Sequence, residues 1–252
     1  MNRLYIIADI HGSYENLMKL VKLIRDDDGL DFKRGDKLVQ LGDRCDRQND
    51  TFRVNNFFYK LQKRYPDQVI CLRGNHESLM LGAALGYGDE YLFIVNGGKS
   101  TMKSYKCYSN NAQVLGYKLN DCGHLTWLNA QPFYYETDEY FFSHAPIPIG
   151  ADKPYGEQVL TWTYYGEDLE AWVNPDPENG KICVYGHIHG MTRNNKGEYE
   201  VPGIRQIGNT FLLDTGSGCH KVGYLSCLEL TEMKVYTSRG EILIGEYDLT
   251  SD

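Results

Sequence analysis

Three short apolar runs near the N-terminus each stop at a polar, mostly glycine-bearing segment, and that repetition limits the fold more than any other feature. Leu4 to Ala8 leads into Asp9-Ile10-His11-Gly12, and Lys37 to Leu41 leads into Gly42-Asp43-Arg44-Cys45-Asp46-Arg47. Val69 to Leu72 leads into Arg73-Gly74-Asn75-His76-Glu77. Between the runs, Leu17, Leu20, Val21 and Ile24 recur at helical spacing, as do Val54, Phe57, Phe58 and Leu61. Short apolar runs of this kind read as buried strands, and the recurrences between them as amphipathic helices. Ser13 is the candidate N-cap of the first helix. Strand, helix, strand, helix, strand at this spacing implies right-handed crossovers and a largely parallel sheet. Open sheets of that type gather side chains at their carboxyl edge, so Asp9, Asp43 and Asn75 are expected at one place, delivered by three strands.

Two later strands repeat the pattern. Glu139 to Ser143 ends at Ser143-His144-Ala145, and Lys181 to Tyr185 ends at Gly186-His187-Ile188-His189. After Gly190 the pattern turns to β, with Phe211 to Leu213, Tyr224 to Leu230 and Glu241 to Ile244 suggesting an antiparallel sheet that closes a sandwich. Residues from about 86 to 132 are less regular and rich in Tyr and Asn. They read as a helical and loop insert that either lines a substrate groove or packs as a surface subdomain. The expectation is one domain over residues 1–252, built as two sheets with helices outside.

Composition removes several function classes. Hydrophobic residues are 42% and charged residues 24%, an ordinary globular balance rather than that of a disordered chain. The apolar runs are strand-sized, so no membrane span is expected. The start lacks the basic-then-apolar plan of a secretory leader. Seven scattered cysteines without a Cys-x-x-Cys pair point to free thiols in a reducing cytoplasm. Cys71 and Cys183 read as core residues, and Cys45 as a small space-filler within its segment. A net charge of -8 argues against a protein that grips a nucleic-acid backbone, but not against a small phosphorylated substrate.

The polar segments carry the chemistry. Asp9, His11, Asp43, Asn75, His144 and His187 offer carboxylate, amide and imidazole donors without thiolate, which suits Mn, Fe or Zn, with Mn first. Asp43 can bridge two ions. A pair of divalent ions roughly 3.5–4 Å apart activates a water and clamps the oxygens of an in-line displacement. Phosphoryl transfer needs that neutralisation above all. His76 is a candidate general acid, Asp46 its hydrogen-bonded partner, and Arg47 a planar fork for phosphate oxygens.

These segments resemble the phosphoprotein phosphatase branch of the calcineurin-like metallophosphoesterases, marked by Asp-x-His-Gly, Gly-Asp-x-x-Asp-Arg-Gly and Arg-Gly-Asn-His-Glu with two later histidines. The similarity looks nearly full length. Trp127-Leu128 through His144, and Leu212-Leu213-Asp214-Thr215-Gly216, also resemble small bacterial and phage enzymes, protein phosphatases and symmetrical diadenosine tetraphosphatases among them. The resemblance implies an α/β/β/α sandwich of mixed sheets flanked by helices. It further implies that Asp9, His11 and Asp43 hold one metal and Asp43, Asn75, His144 and His187 the other. His76 with Asp46 would form the acid pair. The implied activity is hydrolysis of phosphoserine or phosphothreonine in proteins, with phosphotyrosine also admitted; the alternative is a dinucleoside polyphosphate hydrolase. The expected partner is a phosphoprotein, a phosphopeptide or a small phosphorylated molecule.

Three positions depart from the family pattern. Gln48 stands where the second segment has Gly. Trp162 is followed by Thr163, Tyr164 and Tyr165, where relatives of similar length carry a second phosphate-binding Arg, so that clamp is either lost, replaced by a Tyr hydroxyl, or supplied elsewhere by Lys99 or Arg205. His189, the second histidine of the last segment, matches the Gly-His-x-His ending of the broader family and is a candidate ligand of the first metal, the alternative being a supporting position behind the ligands.

Overall fold

A computed structural model describes residues 2–163, 171–189, 192–193, 196–201, 203–219 and 221–244. The first half runs β1 (Leu4–Ile7), α1 (Tyr14–Asp28), β2 (Lys37–Gln40), α2 (Thr51–Arg64), β3 (Val69–Cys71) and α3 (Asn75–Leu85). Then come α4 (Glu90–Phe93), a π-helical turn (Ile94–Gly98), α5 (Lys99–Ser104), α6 (Gln113–Asp121) and α7 (His124–Asn129). The second half supplies β4 (Tyr134–Glu136), β5 (Tyr140–Ser143), α8 (Glu157–Trp162), β6 (Ile182–Tyr185), β7 (Thr192–Arg193) and β8 (Tyr199–Glu200). It closes with β9 (Arg205–Ile207), β10 (Thr210–Leu212), β11 (Ser226–Glu229), β12 (Lys234–Thr237) and β13 (Ile242–Ile244).

Two mixed sheets result. The first has the order β13-β12-β11-β1-β2-β3, parallel through β1, β2 and β3 and antiparallel from β1 outward through β11. The second has the order β4-β5-β6-β10-β9, parallel at its centre with antiparallel edges. The expected C-terminal antiparallel sheet is therefore corrected. Its strands do not form a layer of their own: β10 joins the second sheet beside β6, while β11, β12 and β13 extend the first. Local sequence favours a strand but says nothing of which distant edge will pair with it.

Alternation along β1 explains why its run is apolar without interruption. Tyr5 and Ile7 face the helices, where they pack with Leu17, Leu20, Ile24, Val54 and Phe58. Ile6 and Ala8 face the other sheet, packing with Phe142, Val184, Phe211 and Leu228. A strand covered on both faces has no polar side to show. Burial of one such Leu, Ile or Phe side chain contributes roughly 1.5–3 kcal/mol. Helix α8 covers the outer face of the second sheet through Leu160, beside Phe141 and Tyr185, giving the α/β/β/α order.

Ser13 occupies the N-cap position of α1, but its side chain makes no capping bond, which corrects the expected role. Over residues 86–132, α4, α6 and α7 pack on α3 and α5 packs on α2, around Phe93, Met102, Leu115, Leu119 and Leu128. Among the described residues, no helix is long and apolar enough to cross a membrane.

His124 fixes the insert to α2. Its Nδ1 lies 2.8 Å from the Tyr105 hydroxyl, which accepts from Asn55 at 3.0 Å. The rings of Phe52, Tyr59 and Trp127 surround it. Burial, and then Lys60, lowers its pKa to about 4. The folded pKa is below the unfolded value near 6.5, so this stability is complete above that value and is lost as pH falls towards 4. Urea unfolding of the native chain and of His124→Phe at pH 7.5 and 5 is expected to show the native chain losing about 1–2 kcal/mol relative to the variant, after allowance for solvent screening. Parallel losses in the two chains would contradict this reading of His124.

Candidate active site

The turns that follow the parallel strands are stitched together by their backbones. Ile10 and His11 N–H both donate to Asp43 O at 2.9 Å, and Gly12 N–H to Arg44 O at 2.9 Å. On the second sheet, Gly186 N–H donates to His144 O at 2.9 Å, and His187 N–H reaches the Asp9 carboxylate at 3.1 and 3.2 Å. Left-handed backbone is concentrated here, at His11, Asp43, Asp46, Arg47 and His187, with φ between 47° and 69°. Side-chain-bearing residues adopt that region at a cost, and held outliers of this kind cluster at functional sites. The turn needs no glycine at 48, because its left-handed residues are Asp46 and Arg47. The two sheets thereby bring Asp9, His11, Asp43, Asn75, His144 and His187 to one buried place.

His11 Nδ1 lies 2.8 Å from Cys45 O and must donate to it. Its Nε2 lone pair is therefore turned inward, 3.9 Å from Asp9 Oδ2 and 3.5 Å from Asp43 Oδ2, buried and without a hydrogen-bond partner. His144 repeats the device. Its Nδ1 lies 3.0 Å from Leu41 O, and its Nε2 lies 3.4 Å from Asp43 Oδ2 and 2.9 Å from Asn75 Oδ1. Three lone-pair atoms facing one another repel unless a proton, a turned amide or a cation lies among them. With the Asn75 amide turned round, its nitrogen donates to Asp43 Oδ2 at 3.1 Å and His144 Nε2 at 2.9 Å. Two clusters, His11-Asp43-His76 and Asp43-His144-His187, each have ligand-capable atoms within 4.8 Å of one another, and Asp43 belongs to both. Hard oxygen and borderline nitrogen donors suit divalent Mn, Fe or Zn.

The electrostatics match this crowding. Burial, followed by Asp214, holds the Asp9 carboxyl well above the usual range. Burial acts the same way on Asp43, but His144 and His76 outweigh it and draw Asp43 well below. His11 is pushed well down by burial and by Arg47, and His187 falls to about 3 through burial and His144. At His144 burial opposes the charge, yet Asp43 and Asp9 raise it to about 9. Proton and cation compete for that one Nε2.

Beside the donors, His76 Nδ1 lies 2.7 Å from Asp46 Oδ2, and Thr101 donates to Asp46 Oδ1 at 2.7 Å. Asp43 and Asp46 outweigh burial and raise the His76 pKa. Arg47 reaches His76 Nε2 at 3.2 Å with one terminal nitrogen and faces Cys219 Sγ with the other. Gly97 of the π-helical turn is packed so closely on Arg47 that a Cβ would stand 2.7 Å from the Arg47 nitrogen. His189 lies outside both donor clusters, and its influence on Asp214 favours the ionised carboxylate. Lys99 opens α5 just after Gly97, Arg205 lies in the edge strand β9, and Tyr164 and Tyr165 lie outside the described residues. Trp162 meets the His187 ring edge-on at 6.5 Å.

Sequence reasoning missed the scaffold beneath the site. Glu77 accepts from the Asp43 and Arg44 N–H groups at 2.8 Å and from Gly74 at 3.0 Å. Arg44 is fully buried, 3.7 Å from Glu77, and donates to Leu72 O at 2.8 Å as well as to Gln40 and Gln131. The available signal was an arginine inside a segment whose other residues turn inward.

The sequence model described as calcineurin-like phosphoesterase matches residues 2–191. Over 90 residues the chain is 33% identical to the serine/threonine-protein phosphatase 6 catalytic subunit of Caenorhabditis elegans, covering 34% of this chain and 24% of that protein. The chain spans about a quarter of the length of the curated relatives it matches. Among solved structures, a candidate diadenosine tetraphosphatase has a TM-score of 0.58 at 17% identity, covering 98% of this chain and 95% of that one. The cold-active protein-tyrosine phosphatase of a psychrophilic Shewanella has a TM-score of 0.59 at 18% identity, covering 98% and 81%. At these identities the likeness establishes the fold.

Close packing gives a test of the donor cluster. A Cβ at Gly186 would collide with Asp9 Oδ1. Gly186→Ala is expected to weaken divalent-cation binding on the order of tenfold or more, read by calorimetric titration of the chelator-stripped chain. Unchanged affinity would show that Asp9 has no part in holding a cation.

Proposed function

The chain belongs to the calcineurin-like phosphoesterase family, and we propose that it is a phosphomonoesterase acting on phosphoserine or phosphothreonine in proteins, with phosphotyrosine admitted by the same site. Asp9, His11, Asp43 and His189 would hold one divalent cation, and Asp43, Asn75, His144 and His187 the second, with manganese the expected metal. When bound, such a pair supplies positive charge to phosphate oxygens and a nucleophilic water at neutral pH. In this reading residues 1–252 act as one domain, and the insert at about 86–132 forms one wall of the substrate groove. The free cysteines support a reducing, cytoplasmic setting.

One observation carries the reading: a buried His76–Asp46 pair opens beside Arg47 at the rim of the donor cluster. Asp46 orients the imidazole and keeps its proton in place. The Nε2 edge, 3.8 Å from Asp43 Oδ2, is the edge that can hand a proton to a departing oxygen. The Arg47 guanidinium can exchange its present neighbours for phosphate oxygens, a planar fork being suited to that contact. Similarity to a serine/threonine-protein phosphatase over 90 residues supports the choice of a phosphoprotein substrate.

The second reading is hydrolysis of a dinucleoside polyphosphate. It is favoured by Tyr87 and Tyr91, 70% and 75% exposed on the segment that leads to Gly97, whose rings could stack on bases. Rates on phosphopeptides and on diadenosine tetraphosphate, measured side by side with manganese, separate the two. Faster turnover of phosphopeptide is expected, and exclusive turnover of the dinucleotide would replace the first reading with the second.

His76→Asn tests the acid. Loss of a positioned proton donor costs roughly 10²–10⁴-fold when the leaving group is an alkoxide. The variant is therefore expected to lose far more rate on an alkyl phosphate than on p-nitrophenyl phosphate, whose leaving group needs little protonation. Equal losses on both would remove His76 from that role.

A further inference from the structure

The turn after β10 contains a carboxylate that none of the roles above uses. Leu212 pairs with Tyr185 across the parallel strands, and Leu213 N–H donates to Tyr185 O at 2.7 Å. Asp214 thus follows β10 where Gly186 and His187 follow β6. Gly186 packs on Asp9, and His187 N–H donates to it. The same turn lies on the first polar segment: Ser217 Oγ donates to Ile10 O at 3.4 Å, and a Cβ at Gly218 would stand 2.6 Å from His11 Cβ.

Asp214 is 2% exposed. Its Oδ1 accepts from Gly216 N–H at 2.8 Å, whereas Oδ2 is buried with no hydrogen-bond partner. The charged groups acting on it are His189, Arg47 and Asp43, and it is the strongest charged influence on Asp9. Arg47 does not satisfy Oδ2, because its terminal nitrogens face Cys219 and His76. A carboxylate oxygen held dry and open beside a second carboxylate is costly unless a cation draws both.

We propose that Asp214 is a further carboxylate of the cation site, facing the same cation as Asp9 and completing its oxygen donors. The proposal rests on the two-cation reading. Its oxygen makes the Asp9 side the harder of the two, richer in carboxylate than the Asn75–His144–His187 side. It also adds a negative charge that acts on the Arg47 guanidinium.

Calorimetric titration of the chelator-stripped full chain with manganese tests this. The native chain is expected to take up two equivalents. Asp214→Asn is expected to keep one at native affinity and to bind the other roughly 10–100-fold more weakly. The thermal midpoint of the cation-free variant is expected to hold or rise, since an amide replaces an unpartnered carboxylate. Asp214→Cys, loaded with cobalt, is expected to show a thiolate-to-cobalt absorption band that the native chain lacks. That variant carries the test if the amide variant fails to fold. Two equivalents at native affinity in Asp214→Asn, or no new band in a cobalt-loaded Asp214→Cys, would overturn the inference alone. A native chain that binds no cation would overturn the two-cation reading and this inference with it.

Discussion

The buried carboxylate of Glu77 is the contact on which the rest of the site depends. It accepts the backbone N–H groups of Asp43, Arg44 and Gly74, so the turn after β2 and the turn after β3 are tied to one side chain. A buried carboxylate without partners would be strongly unfavourable; three donors and a neighbouring guanidinium reverse that. The consequence is positional. Asp43 is held where its Oδ1 accepts from His76 N–H at 3.0 Å and its Oδ2 faces His11 and His144. The two sheets meet around that one side chain.

This arrangement works against local conformational preference. Five residues with side chains, His11, Asp43, Asp46, Arg47 and His187, adopt left-handed backbone. Each costs on the order of 1 kcal/mol or more. Summed, that approaches the net stability of an ordinary domain, so the turns hold only because the sheets on either side fix both their ends. Cations shared among the inward-turned lone pairs of His11, His144 and Asn75 would add to that, stabilising the folded chain in proportion to their binding. Strain, burial and an open lone pair coincide at His11, and the strained, buried Asp43 lies beside it, a combination suited to a cation site.

Much of this was legible in the sequence. The strands β1, β2 and β3 were readable because β1 and β3 are apolar throughout, β2 holds Leu38 and Val39 at its centre, and each run leads into glycine or a polar residue, a pattern that local rules interpret well. The convergence of Asp9, His11, Asp43, Asn75, His144 and His187 was readable because all six recur at strand ends. Pairing was not. β10 and β11 carry similar local signals but join different sheets, a choice made by distant edges. Ser13 has the right residue type for a cap, yet its side chain makes no such bond. Arg44 was invisible for a different reason. An arginine in a sequence reads as a solvated surface charge, and only the fold reveals the pocket of Gln40, Leu72, Glu77 and Gln131 that receives it. Asp214 belongs to a segment that resembles relatives, but its open oxygen exists only once β6 and β10 lie side by side.

Anomalous diffraction from manganese-soaked crystals addresses the central claim most directly. Two neighbouring peaks are predicted, one on the Asp9–His11 side of Asp43 and the other on its Asn75–His144–His187 side. No peak at Asp43, or manganese bound only at a distant surface, would contradict the account.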